Sequence, residues 1–274
     1  MFKKALTGIA AAATVAGSLV AMAPAQAAGL TTPMPKFEWK DLKNHEVKDR
    51  STDTSGFQAL IPQFQTYVQK ERLAISAEKQ KAQALDPTKL FMKFDHNVRV
   101  WFLNEGAGYK NQLGYQTVKD GQETSKGQIF NNISCDISGG KNSACQLGNN
   151  GDGVLDIGDY VDIGKVKAGT QLNFLLRSDG FNGGQTVLGG ADPSQNIDKL
   201  QHMMAYQVGD YLLMGFEDII GGGDLDFNDV VFVVDFGKGN LTNQAVPEPG
   251  TMAALLGVTG ASMWMRRRKK QASA

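Results

Sequence analysis

Five carboxylates, from Glu217, Asp218, Asp224, Asp226 and Asp229, fall within thirteen residues, together with the amide of Asn228 and no Lys or Arg. Carboxylates this close repel one another and weaken a fold unless a cation or good hydrogen-bond donors compensate. An all-oxygen donor set of this kind suits a hard cation, and Ca²⁺ is the expected one. Read as an extended segment, Asp224, Asp226 and Asn228 share one face, while Leu225, Phe227 and Asp229 share the other. Gly221, Gly222 and Gly223 let the chain turn tightly, so that Glu217 and Asp218 fold back from the end of the preceding strand. One cation would then receive five or six oxygens. The competing reading is a solvated acidic loop closed by Asx-turns.

Weaker candidates surround this cluster. Asn104, Glu105, Asp179 and Asn182 fall at expected strand ends, where loops commonly carry binding residues. Tyr109, Tyr115 and Phe181 lie near turns and could stack on sugar rings, or equally belong to a core. Asn150 to Asp159 partly fits a Ca²⁺ loop of EF-hand type, but the expected first ligand falls on Gly148 and no helices flank it. A strand-connecting turn is the favoured reading there. For catalysis, a carboxylate pair could serve glycoside hydrolysis. No Gly-x-Ser-x-Gly elbow, His-Glu-x-x-His motif or phosphate loop is present, so the chain is expected not to be an enzyme.

The elements that must position these groups are mostly strands. The acid cluster runs directly into the apolar run Val230 to Val234, the pattern of a buried strand. Residues 98–103, 160–163, 171–176, 203–208 and 211–216 read as further strands, divided by Gly/Asn/Asp turns. Gly209-Asp210, between two of these runs, is a two-residue hairpin signal. Residues 56–85 differ: Phe57, Leu60, Ile61, Phe64, Tyr67, Val68 and Leu73 recur at helical spacing, and an Ala/Lys/Gln/Glu-rich stretch follows up to Asp86-Pro87. The expected fold is mainly β, a single jelly-roll-like β-sandwich over residues 91–237. An α-helical extension over 28–90 precedes it, and a linker over 238–245 follows.

Both ends read as addresses. Residues 1–27 have a basic start (Lys3, Lys4), an apolar stretch and Ala25-Gln-Ala27, a secretory signal with its cleavage pattern. Residues 246–274 hold Val246-Pro247-Glu248-Pro249, then apolar Met252 to Met265, then Arg266 to Lys270. The apolar run is shorter than the ~20 residues of a full spanning helix, and the basic cluster would stay on the cytoplasmic side. Lys and Arg number 28, as do Asp and Glu; without the seven cations of the two ends, 21 bases face 28 acids. A mildly acidic mature chain argues against nucleic-acid binding. Cys135 and Cys145 are the only cysteines. In an exported chain they are expected to form a local disulfide, since zinc would want four ligands and His45, His96 and His202 are scattered.

Two resemblances add to this reading. The Pro-Glu-Pro motif, short hydrophobic helix and Arg-rich end resemble the PEP-CTERM sorting signal. The resemblance implies Sec-dependent export in a Gram-negative bacterium and transient inner-membrane attachment through the tail. It also implies an exosortase-type sorting protease as partner, followed by a cell-surface or extracellular location. Separately, Gly215-Phe-Glu-Asp218, Gly221-Gly-Gly-Asp-Leu-Asp-Phe-Asn-Asp229 and Val230-Val-Phe232 resemble the bacterial domain of unknown function 4114. Residues 101–115 and 178–184 fit the same pattern, with Phe181 where that family often has Trp. This resemblance spans roughly residues 96–237 and implies a module of an exported, surface-associated protein. The expected function is a Ca²⁺-stabilised, non-enzymatic binder of extracellular polysaccharide or a surface glycan in a biofilm. A matrix protein without a specific ligand is the alternative, and a glycoside hydrolase the third.

Overall fold

The structure, a computed structural model, describes residues 34–68, 82–133 and 155–241. The signal over 1–27, Cys135 and Cys145, and the tail with Val246 to Pro249 lie outside the described residues. Eleven strands are present among those described: β1 (Lys43–Asn44), β2 (Ala82–Leu85), β3 (His96–Glu105), β4 (Asn111–Lys119), β5 (Gln122–Ile133), β6 (Tyr160–Val166), β7 (Gln171–Arg177), β8 (Val187–Gly189), β9 (Met203–Val208), β10 (Tyr211–Phe216) and β11 (Val230–Asp235). They form a five-stranded sheet, β1-β5-β4-β7-β8, and a six-stranded sheet, β2-β9-β10-β11-β3-β6.

The sheets pack face to face in a sandwich-like arrangement. Phe174 of β7 meets Phe232 of β11 at 5.2 Å between ring centroids, and Phe102 of β3 meets Phe130 of β5 at 6.1 Å. β11 sits between β10 and β3, and its Val230 to Val234 are all buried. A strand covered on both faces carries a continuous apolar run rather than an alternation. The covering on its outer side comes from the N-terminal segment. Phe57 stacks on Trp101 at 4.1 Å, and Phe57 and Phe64 both lie against Tyr211. Burying each of these rings contributes roughly 2–3 kcal/mol.

A polar clasp fixes that segment in place. The Asp53 carboxylate accepts Trp101 Nε1 at 2.8 Å and Arg99 Nη1 at 2.7 Å. Arg99 also donates from Nε to Asp162 at 2.6 Å, and its guanidinium lies 4.2 Å from the centre of the Tyr160 ring. The apolar stripe of residues 57–68 is therefore a packing face.

Its helical character is brief. Phe57–Leu60 is a 3-10 turn and α1 (Ile61–Gln65) is one α-helical turn. The expected helix up to Leu85 is corrected at its end: Ala82–Leu85 is strand β2, antiparallel to β9 with Leu85 opposite Ala205. Without β2, one edge of β9 would carry unpaired backbone groups, and pairing outweighs the modest helix preference of Ala and Gln. The described part of residues 28–90 shares one core with the strands, through Phe57, Ile61, Phe64, Tyr67, Leu85 and Leu90. Residues 238–241, expected as linker, are also held: Asn240 Oδ1 accepts the N–H groups of Lys93 and Phe94, both at 2.8 Å.

Each strand expected from an apolar run is present, and β9 and β10 join through Gly209-Asp210 with Val208 opposite Tyr211. β4 and β5 are additional. They are joined by Asp120-Gly121, both at positive φ (51° and 76°), the conformation of a type I′ hairpin turn. β4 lacks an apolar run because its buried polar side chains find partners: Gln116 Nε2 donates to Glu123 at 2.9 Å, and the Thr117 and Thr124 hydroxyls are 2.8 Å apart. Among the described residues no helix is long and apolar enough to cross a membrane.

Candidate metal centre

Phe216 of β10 pairs directly with Val230 of β11, so both ends of the acidic loop are fixed in the middle of the six-stranded sheet. The strand alternation carries on past Phe216 and separates Glu217 from Asp218. Glu217 joins Asp224 and Asp226, with one carboxylate oxygen of each within 4.8 Å of the others. Glu217 Oε1 accepts the Phe227 N–H at 2.7 Å, and Asp226 accepts the Asn228 N–H at 3.1 Å and its side-chain amide. Asp218 instead joins Asp229. Asp229 Oδ2 accepts the Asp218 N–H at 2.8 Å, while Asp218 Oδ2 accepts Asn111 Nδ2 at 2.7 Å.

The expected single group of six is thus two neighbouring groups, a triad and a pair. The expected separation of Asp224, Asp226 and Asn228 from Asp229 is found, although the loop is not extended. Leu225 and Phe227 have φ of 60° and 55°, so the chain coils through the left-handed region at both. This coiling brings Asp224 and Asp226 back over Glu217. Gly223, at φ 52°, faces the Glu217 carboxylate so closely that any Cβ there would collide with Oε2. The glycine leaves room beside that oxygen.

Burial and like charge dominate the electrostatics of the loop. Glu217, Asp218, Asp226 and Asn228 are buried, and Asp224 is exposed. Burial pushes Glu217 and Asp226 above the usual carboxylate range, and the charge of Asp224 adds to both. Burial likewise raises Asp218, and Asp229 is pushed up to about 8 by burial and then by the charge of Asp218. Oxygens bound to opposite sides of one Ca²⁺ stand about 5 Å apart, since each Ca–O contact is about 2.4 Å. The triad fits that span. Its donors are all hard oxygens, and the position of Asp224 at the surface leaves an approach for an ion and its waters.

Residues that the sequence reading passed over support the loop from below. His202 is fully buried; its Nε2 lies 2.8 Å from Asp198 Oδ2, which also accepts the Gly221 N–H at 2.7 Å. The Glu217 N–H is held by the His202 carbonyl at 2.9 Å. Asn111 links the pair to the neighbouring turn, because its Oδ1 accepts the Asp179 N–H at 3.0 Å. Asn111 lies within the stretch 101–115 that resembles the family pattern; His202 carries no comparable signal.

The weaker candidates divide. Asp179 and Asn182 stand at the triad's end of the sandwich, with Asp179 Oδ1 accepting Lys110 N and Asn182 Nδ2. Asn104 and Glu105 end β3 opposite Val231 and Val230, and Glu105 is buried. Tyr109 and Phe181 are exposed, with Lys110 Nζ 5.7 Å from the Phe181 ring centre. Tyr115 takes the core reading: it is 1% exposed and belongs to the main hydrophobic cluster. In the described part of the Asn150–Asp159 turn, Asp159 uses its oxygens on the N–H groups of Asp156 and Arg50, which is a turn-closing role.

The model of the family described as Domain of unknown function (DUF4114) matches residues 166–237. The match begins at the end of β6 and takes in β7 to β11 with the whole acidic loop, so β1 to β5 lie outside it. No match is found among curated proteins or among solved structures.

Proposed function

We propose that this chain is an exported, non-enzymatic binding module whose jelly-roll-like sandwich is stabilised by Ca²⁺ at the β10–β11 loop. Its partner is an extracellular polysaccharide or surface glycan of a biofilm matrix. The observation that carries the calcium reading is the convergence of Glu217, Asp224 and Asp226 on one small volume, with two of the three buried. Bound there, Ca²⁺ would supply positive charge and close the loop onto β10 and β11, and its binding free energy would add to fold stability. Exposed Tyr109 and Phe181, with Asp179 and Asn182, offer stacking and hydrogen-bonding groups to a sugar at the same end.

Residues 1–27 are read as the export signal, and 246–274 as a PEP-CTERM sorting tail that holds the protein at the inner membrane until an exosortase-type protease acts. Calcium titration with a glycan array tests the module. The expected result is a melting temperature that rises with Ca²⁺ and falls in chelator, with binding to acidic or neutral polysaccharides on the array. A calcium response without any glycan binding would favour an inert matrix component. Sugar release from an exopolysaccharide would favour a hydrolase.

A further inference from the structure

The opposite end of the sandwich carries a second kind of chemistry. β4 runs from Asn111, beside the acidic loop, to Lys119, about 27 Å away at the rise of an extended strand. There, between β4–β5 and the edge strand β6, lies a cavity of about 280 Å³. Lys119, Lys165 and Lys167 line it together with the exposed Thr124, and Ile163 and Val166 add apolar surface. Lys165 and Lys167 share one acid, Asp95, at 3.2 and 2.9 Å, and Lys119 donates to the Ala168 carbonyl at 3.1 Å. Glu123 is engaged by Gln116 and Lys126. The lining residues therefore include three lysines and no acid, and two of the lysines share Asp95 outside it.

We propose that this pocket binds the carboxylate-bearing ring of an acidic polysaccharide. Lys119 and Lys167 reach the carboxylate, the Thr124 hydroxyl meets a ring hydroxyl, and the C–H face of the ring lies on Ile163 and Val166. The volume is near the lower end of small-molecule sites, which begin at about 300 Å³, and so suits one sugar unit of a chain threading past the sheet edge. A sugar as the source of the anion rests on the glycan-binding reading above. The preference for an anion rests on the lysines alone.

The test is calorimetric titration of the full chain with digalacturonate, its methyl ester and inorganic phosphate, alongside the Lys119→Gln/Lys167→Gln double variant. Both lysines lie on the exposed surface, so the variant is expected to melt as the parent does. Digalacturonate is expected to bind, the ester to bind about tenfold more weakly, and the variant to lose about tenfold for digalacturonate, the scale of one charge-assisted contact. Equal binding of acid and ester, or an unaffected variant, would overturn the pocket assignment and leave glycan binding standing. Binding of phosphate but of neither sugar would overturn the sugar. No binding of any of the three would overturn the pocket as an anion site.

Discussion

Asp229 accepts the backbone N–H of Asp218 at 2.8 Å, so the side chain of one acid is held against the main chain of another. The contact closes the acidic loop across its own base, and its effect is to force two carboxylates into one buried space. Burial raises both acids, and the charge of Asp218 raises Asp229 further, so the pair contributes to the pH dependence predicted first.

Metal-free protein is expected to lose stability as pH rises. Asp229 is pushed up to about 8, and Asp218, Glu217 and Asp226 are raised as well, chiefly by burial. Across this window the folded state holds more protons than the unfolded chain, whose carboxyls titrate near 4, so stability falls with pH. Melting curves in chelator between pH 5 and pH 8 should show a progressive decrease. A flat or rising profile would contradict the buried-acid picture.

Calcium should reverse that loss. At a free concentration of about 100 times Kd, the gain is about 2.7 kcal/mol. For a domain of this size that corresponds to an increase of about 5–10 °C in Tm. Magnesium should give less, because it resists giving up its waters to a flexible carboxylate set.

The two acid groups can be told apart. Glu217→Gln and Asp224→Asn remove ligands from the triad and are expected to abolish most of the calcium-dependent shift in Tm. Asp229→Asn relieves repulsion and should stabilise the metal-free protein at pH 8 while leaving a calcium shift in place. If Asp229→Asn removes the shift and Glu217→Gln does not, the ion belongs to the pair.

Asp53→Ala should destabilise the protein by about 2–4 kcal/mol, because it strands the buried Trp101 N–H and removes one partner of Arg99. Chemical denaturation would measure this at fixed calcium. The calcium-dependent shift should persist in the variant, since the clasp lies outside the acidic loop. Loss of less than about 0.5 kcal/mol would show the clasp to be dispensable, at the level of an ordinary surface substitution.

Much of the fold was legible because burial leaves a mark on residue type. Val230 to Val234 could only be a covered strand, and Gly209-Asp210 could readily close a hairpin. β4 was hidden because Gln112, Gln116 and Thr117 are buried with polar partners, which erases the apolar run, and β5 because its first residues, Gln122 to Ser125, are polar and exposed. The signal that could have revealed them was Asp120-Gly121. The strand at Ala82–Leu85 follows from pairing with the edge of β9, a long-range partner that local spacing does not announce. At the acidic loop, the crowding of carboxylates was visible from charge density alone. Their division into triad and pair depended on the positive φ of Leu225 and Phe227, which no side-chain pattern announces.

The outer strands of the two sheets have a consequence for a protein that would work at high density outside a cell. β1, β8 and β2 are two, three and four residues long, and the longer β6 holds Gly164 at φ 97° and the charged Asp162 and Lys165. β1 covers only Gly127 and Gln128 of β5, and the stretch it leaves, Gln122 to Lys126, carries Glu123 and Lys126, charges that discourage pairing by a neighbouring copy. Crowded together, such molecules can remain separate particles and resist growing into cross-β fibres.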